Sequence, residues 1–342
     1  MKKKIFFLFI SFAFVYPNDK VEVYFESINN AELAIVNQEF SNAHAQYKKA
    51  FGSHTPFSYD IHNAILVAQE LNDFKTAIIY SKILFQRDIT SNFFNQSKFS
   101  KLIQSHLWKK MMLSDFDSNN EYIKTTFNKK LRKKIEILIE MDQKFRINSN
   151  RDSLIIYDSL IRQETNLLLD KYGFLSEAKT GVWQRNDTTL SFSHPIDVIL
   201  LHQVKNGHKE LFTKLKYFVK TGQMHPLKLA ELGYWSDDKS LQFGCSDINQ
   251  TVFYQINDEL YTCNDERVEK INDNRKQYFL ESLEDLKKKI FFYYFRDKRF
   301  KLNISYSTPY LTTQNEETKR YYIKLGLKLI KKLPNNDTYF KQ

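Results

Sequence analysis

The chain has 342 residues, of which 42% are hydrophobic and 27% are charged, and its formal net charge is +11. This composition supports ordinary hydrophobic cores and excludes a disordered tail protein. The lysines are spread along most predicted helices instead of forming one block, so the basic balance predicts solvated helix faces and no nucleic-acid partner.

The first residues have the pattern of a secretory signal peptide. A basic stretch, Met1 to Lys4, precedes an apolar run from Ile5 to Tyr16. This run is too short to span a bilayer, and the order of basic and apolar residues is typical of a cleaved signal. We therefore expect a signal peptide at 1–16 and an exported protein, periplasmic or extracellular, without a membrane span after cleavage. Cleavage removes three lysines and lowers the net charge to +8.

Two segments of the N-terminal half show the same helical frame 34 residues apart. The frame consists of the following residues: Phe40, Ala43, Tyr47 and Ala50, then Phe74, Ala77, Ser81 and Leu84. This period resembles the tetratricopeptide repeat over about residues 25–115, with a faint third copy at Trp108 and Met111. The resemblance implies an α-solenoid with a groove for a protein or peptide. The alternative is that these helices only support the second half of the chain.

The second half is predicted to be helical with one small β element. Periodicity and capping residues predict helices at 153–171, 194–205, 207–221 and 225–234, near Arg275 to Lys289, and from Glu316 to Leu333. Residues 174–192 are predicted as a loop with room for one short strand, and β-prone segments near 251–262 predict an antiparallel hairpin.

The predicted fold class is mainly α, with an N-terminal α-solenoid packed on a helical domain that holds the small antiparallel β-hairpin. The predicted boundaries are as follows: signal peptide 1–16, repeat domain 20–140, helical domain with a small β element 141–300, and polar linker with a basic helix 301–342.

The chain has two cysteines, Cys245 and Cys263, which flank the β-prone segments. In an exported protein such a pair is a disulfide candidate that would contribute about 3 kcal/mol in the chain-entropy model. The alternative is two buried free thiols. Their spacing matches no zinc motif, and the chain has no glycine-rich phosphate loop or hydrolase motif, so we predict neither a metal nor a cofactor.

Residues 141 to about 290 resemble an uncharacterised bacterial domain family that often follows a signal peptide. Its Asp-Gln-x-x-Arg element is matched by Asp142, Gln143 and Arg146, and the histidine of its Gln-His-Ala-Asp element by His202. Other family positions are matched by Asp158, Tyr172-Gly173, Leu229-Ala230, Phe243-Gly244 and Arg275. Several positions that are polar in the family are occupied here by other residues: Ile161, Leu201, Val204, Tyr234 and Trp235. In addition, Cys245-Ser246 replace Thr-Gln. The family has no assigned activity to transfer.

The candidate site residues are His202, Asp142, Arg146, Asp158 and Arg275. A histidine beside a carboxylate can act as a general base, and an arginine can hold an anion. The alternative is a buried polar network in which every charge is paired.

Three functional hypotheses follow, and the sequence does not assign an enzymatic activity. The first is an exported module that binds a protein or peptide through the repeats. The second is an envelope hydrolase that uses His202 with Asp142, Arg146 and Arg275. The third is a purely architectural envelope component.

Overall fold

The structure is mainly helical, as the sequence predicts. The computed structural model describes residues 17–115, 125–148, 151–186, 189–190, 194–244, 253–256, 259–262, 268–304, 316–324 and 327–332. The predicted signal peptide and the predicted disulfide between Cys245 and Cys263 lie outside these ranges.

The helices have the following bounds: α1 Pro17–Val36, α2 Phe40–Ser53, α3 Ser58–Glu70, α4 Phe74–Gln86, α5 Ser100–Gln104, α6 His106–Asp115, α7 Lys129–Asn148, α8 Arg151–Tyr172, α9 Glu177–Thr180, α10 Pro195–Lys205, α11 Leu211–Lys220, α12 Pro226–Gly233, α13 Val268–Gln277, α14 Leu283–Phe295 and α15 Glu316–Lys324. The strands are β1 Gln184–Asn186, β2 Thr189–Leu190, β3 Phe253–Ile256, β4 Glu259–Thr262 and β5 Lys328–Lys332.

Helices α1 to α4 bury the repeated frame in a first hydrophobic core. The loops between consecutive helices are short, so the helices pack as hairpins. The small or polar frame residues Ala43, Ala77 and Ser81 are all 0% exposed, which lets neighbouring helices approach closely. Trp108 and Met111 of α6 are buried in the same core. The 34-residue frame therefore identifies the buried faces of α2 and α4.

A second core lies under α7, α8, α10, α11 and α12. Helix α7 crosses the predicted domain boundary after residue 140, and its first part contributes Leu131, Ile135 and Leu138 to this second core. The end of α11 is set by Gly222, whose φ of 70° is a left-handed conformation that favours glycine.

The β elements are two small antiparallel sheets. Strands β1 and β2 form one hairpin within the predicted loop, and β3 pairs with β4 from Phe253 opposite Thr262 to Ile256 opposite Glu259. The second hairpin confirms the predicted one. Strand β5 extends it on the other side of β4.

Two predicted helices differ from the structure. The helix predicted from Glu316 to Leu333 stops at Lys324, and Lys328–Lys332 is a strand. The sequence has a glycine at 326, which weakens a helix, and the apolar residues that follow can pair along the free edge of β4. The helix predicted near Arg275 to Lys289 is two helices, because Phe279 turns with a φ of 60° and Ser282 caps α14.

Candidate functional site

Three helices bring four of the five candidate residues together. Helix α7 carries Asp142 and Arg146, which lie one turn apart on one face because they are four residues apart. Helix α8 supplies Asp158, and α10 supplies His202.

Asp142 is the centre of this cluster. Its Oδ2 lies 2.8 Å from Nδ1 of His202, and its Oδ1 accepts a hydrogen bond from Nε of Arg146 at 3.0 Å. Nη2 of Arg146 donates to Oδ1 of Asp158 at 2.7 Å, and the Asn206 amide donates to the other oxygen of Asp158 at 2.6 Å. These contacts tie α7, α8 and α10 to one another.

The side chain of Asp142 is only 1% exposed. Burial raises the pKa of the Asp142 carboxyl, but hydrogen bonds from His202 and Arg146 outweigh burial and hold this pKa below its ordinary value. The carboxylate is therefore ionised at neutral pH. In a neutral His202 ring it attracts the proton to Nδ1, which leaves Nε2 as the acceptor.

A histidine oriented in this way can act as a general base, and the His202 side chain is 22% exposed. Within the described ranges, His202 makes no hydrogen bond to a serine, threonine or cysteine that would serve as a nucleophile. Apart from the Asp142–Arg146 pair within α7, each contact of the cluster links α7 to α8 or α10, or α8 to the end of α10, as the alternative, a buried polar network, requires.

The structure does not bring Arg275 to this cluster. Arg275 lies on α13, is 3% exposed, and donates from Nη1 to the backbone carbonyl of Phe243 at 2.9 Å. Its Nη2 lies 3.4 Å from Oε1 of Glu281. These contacts hold the turn between α13 and α14, far along the chain from the His202 helix.

A repeated dipeptide, His-Pro, begins the two helices α10 and α12. His-Pro occurs at 194–195 before α10 and at 225–226 before α12. In both, Nδ1 of the histidine accepts the backbone N–H two residues later at 3.2 Å and so caps the helix, with proline in the first turn. Two residues after each proline stand Asp197 and Lys228, which form an ion pair of 3.0 Å.

A cleft opens beside these two helix starts, where the first and second cores meet. Its empty volume is about 590 Å³, including the open mouth. The lining combines aromatic and polar side chains from both parts of the chain: Phe57, Phe174, Trp183, His194, His225 and Asn303. A mostly apolar lining with a few polar groups is typical of small-ligand sites.

The imidazoles in this cleft are neutral. Loss of hydration, with the nearby charge of Lys228, lowers the pKa of His194 and of His225 to about 3. Burial raises the pKa of Asp197 against the opposing effect of Lys228. Because each Nδ1 accepts a hydrogen bond, the ring proton is on Nε2. Nε2 of His194 lies 2.8 Å from Oγ1 of Thr180, whereas Nε2 of His225 is buried without a hydrogen-bond partner among the described residues.

No family model, curated protein or solved structure matches this chain. The resemblances to the tetratricopeptide repeat and to the bacterial domain family therefore stay predictions. In the part of the chain that the structure describes, no three His, Cys, Asp or Glu side chains are grouped to hold a metal ion. Over the same ranges, no helix has both the length and the apolar character needed to cross a membrane.

A further surface of interest is one face of α3, which is covered by residues 299–303. Asp60, Asn63 and Glu70 share this face, since they are spaced by whole helical turns. Residues 299–303, which we call the covering segment, follow α14 and have no helical or strand structure.

The covering segment is bound through both its backbone and its side chains. The Asn63 side chain donates from Nδ2 to the carbonyl of Lys301 at 2.9 Å, and its Oδ1 accepts the Lys301 N–H at 2.7 Å. Asn303 donates from Nδ2 to Asp60 Oδ1 at 2.9 Å. Arg299 lies 2.7 Å from Glu70 Oε1.

The covering segment alternates polar and apolar contacts. Arg299, Lys301 and Asn303 meet polar groups of α3, while Phe300 and Leu302 are 0% and 2% exposed in the first core. Arg299, Lys301 and Asn303 contact Glu70, Asn63 and Asp60 in that order, so the segment runs antiparallel to α3.

Proposed function

We propose that the chain is a polypeptide-binding protein whose N-terminal helices hold an extended segment against α3. The observation that carries this proposal is the pair of hydrogen bonds between the Asn63 amide and the backbone of Lys301. An amide that satisfies both the N–H and the C=O of one residue recognises extended backbone of any sequence. The alternating Phe300 and Leu302 add specificity through buried apolar side chains.

In this state the surface is occupied by the chain's own segment, so a partner must displace it. The sequence predicts two alternative roles for the repeats, a peptide groove or a support for the second half, and the contact of the covering segment with α3 is compatible with either. A partner segment with the same alternation of basic and apolar residues would compete for Asp60, Asn63 and Glu70. The basic and then apolar residues 1–16 support the further proposal that this binding takes place outside the cytoplasm.

The hydrolase hypothesis rests on the Asp142–His202 contact of 2.8 Å. It is the weaker candidate, because the hydrogen bonds of Asp158 with Arg146 and Asn206 serve to join helices and the cleft described above does not include His202.

The test uses a fluorescent peptide of residues 296–304 and the full chain with Lys301→Pro. Proline removes the N–H that Asn63 accepts and loosens the covering segment, so we expect this variant to bind the added peptide at least about tenfold more tightly than wild type. The matched control is Lys298→Pro, which lies in the exposed turn before the segment and should bind like wild type.

Fluorescence anisotropy gives the affinity, and circular dichroism shows that each variant is folded. Adding Asn63→Ala to Lys301→Pro should remove most of the gain, since two backbone hydrogen bonds are lost. A folded Lys301→Pro variant that does not bind the peptide would show that this face of α3 is only a structural contact.

A further inference from the structure

We propose that the cleft beside the His194 and His225 helix caps binds a small neutral molecule with an apolar body and a carboxamide-type head group. This inference goes beyond peptide binding on α3: the two share Asn303, but the ligand class differs and the test uses the wild-type chain with the covering segment in place.

The cleft offers a hydrogen-bond donor that the protein does not use. Nδ1 of His225 accepts the Leu227 N–H at 3.2 Å, which places the ring proton on Nε2. That Nε2 is buried and has no partner among the described residues, although His225 lines the cleft. A buried donor without a partner is costly, so an acceptor atom on a ligand would be favoured here.

The cleft also offers an unused acceptor. Asn303 is 5% exposed and lines the cleft, and its Nδ2 donates to Oδ1 of Asp60 at 2.9 Å. This contact fixes the orientation of the amide above about pH 7, where the Asp60 carboxyl is ionised and attracts the NH₂ group and not the oxygen. Oδ1 of Asn303 is left buried without a hydrogen-bond partner in the described part of the chain. It would accept from an N–H group of a ligand.

The charges of the cleft are already paired, so the ligand is neutral. Lys228 lies 3.0 Å from Asp197 and 3.3 Å from Glu231. Glu177 lies 3.2 Å from Arg87. An anion or a cation would lose its hydration without gaining an uncommitted counter-charge.

The walls and the size define the rest of the ligand. Phe57, Phe174, Val182 and Trp183 supply apolar surface. The space open to the centres of water-sized molecules is about 60 Å³, room for about four waters. A single ring or a short branched chain fits there, and a carboxamide carries both the acceptor for His225 and the donor for Asn303.

The test compares three ring compounds of the same shape on the full wild-type chain: benzamide, benzoate and benzylamine. Long-range proton–nitrogen NMR spectra of the histidine rings follow the Nε2 signal of His225 during each titration. We expect benzamide to shift this signal and to bind at least about tenfold more tightly than the two charged compounds.

Two substitutions of the cleft act in different ways. His225→Asn keeps a good helix cap but removes the Nε2 donor. We expect it to weaken the binding of benzamide by about tenfold, which corresponds to the loss of one hydrogen bond. His194→Asn is the matched control at the twin cap, where Nε2 is already used by Thr180, and should keep the preference for benzamide over benzoate. If His225→Asn does not fold, Ser176→Phe fills the cleft without removing a side-chain cap and should abolish binding.

Several results would overturn the proposal. Equal binding of the three compounds would show a non-specific apolar hollow. Unchanged benzamide affinity in both His225→Asn and Ser176→Phe would place binding elsewhere, and a crystal grown with benzamide that shows an ordered water only would leave the cleft without a ligand role.

Discussion

A buried ion pair between Lys289 of α14 and Glu32 of α1 joins these two helices, and substitution of Lys289 measures its contribution to stability. Nζ of Lys289 lies 2.7 Å from Oε2 of Glu32, and the two side chains are 1% and 0% exposed. Lys289→Met keeps most of the apolar stem but leaves the Glu32 carboxylate in the core without its cation. Removal of one partner of a buried pair costs about 3–5 kcal/mol, and we expect this loss in the free energy of unfolding at pH 7.

The loss of unfolding free energy should depend on pH and on the charge of Glu32. Burial raises the pKa of Glu32, and Lys289 opposes that rise. Without the lysine the folded protein holds a proton on Glu32 more firmly, so the substitution costs less at pH 5 than at pH 7. The double variant Glu32→Gln with Lys289→Met removes both charges and keeps an acceptor for the Asn303 N–H, so it should recover most of the loss.

Urea unfolding followed by circular dichroism gives these free energies. Lys288→Met is the matched control, because its side chain is 52% exposed and forms a surface ion pair with Asp285, and it should change stability by less than about 0.5 kcal/mol. A loss below about 1 kcal/mol for Lys289→Met, or a double variant less stable than the single one, would refute the reasoning.

Three further predictions use the same unfolding measurement. His202→Ala removes a donor from the buried Asp142 carboxylate and should cost about 1–3 kcal/mol, so unchanged stability would contradict the geometry of the cluster. Burial, with a second buried carboxylate nearby, raises the pKa of Asp60 to about 7. Between about pH 4 and pH 7 the folded state therefore keeps a proton on Asp60 that the unfolded state has lost. Over this range wild type should lose up to about 4 kcal/mol of stability relative to Asp60→Asn. A difference in the free energy of unfolding that stays constant with pH would contradict this prediction. Gly222→Ala should cost about 1–2 kcal/mol because φ is 70°, whereas Gly52→Ala, with nothing within 4 Å of the new methyl group, should stabilise α2 by about 0.5–1 kcal/mol; equal effects would be the contrary result.

Local sequence patterns predicted the helices well where a periodic apolar frame or a boundary residue such as proline or glycine was present. The 34-residue frame marks the buried faces of α2 and α4, and Pro195 and Gly222 mark the boundaries of α10 and α11. Strand β5 was missed because its pairing with β4 depends on residues about 70 positions away, which local propensity does not report.

From the residues alone, only the part of the candidate site that depends on spacing along one helix was predictable. Asp142 and Arg146 lie together because they are four residues apart, and the resemblance added His202 across 60 positions. Arg275 was misleading, since a buried arginine can satisfy itself on backbone carbonyls such as that of Phe243. The cleft had one readable signal, the repeated His-Pro at 194–195 and 225–226, but its walls come from distant parts of the chain.

The covering segment also sets the time at which the N-terminal helices can finish folding. The Asn303 N–H donates to the Glu32 carboxylate at 2.8 Å across 271 positions of the chain. Helix α4 ends at Gln86, and ribosomes add about 5–20 residues per second, so the complete set α1 to α4 exists for roughly 11–43 s before Asn303 is made. During that interval, Asp60 and Asn63 remain hydrated and the site of Phe300 stays open. The first core therefore cannot be completed until residues 299–303 have been made, late in the synthesis of the chain.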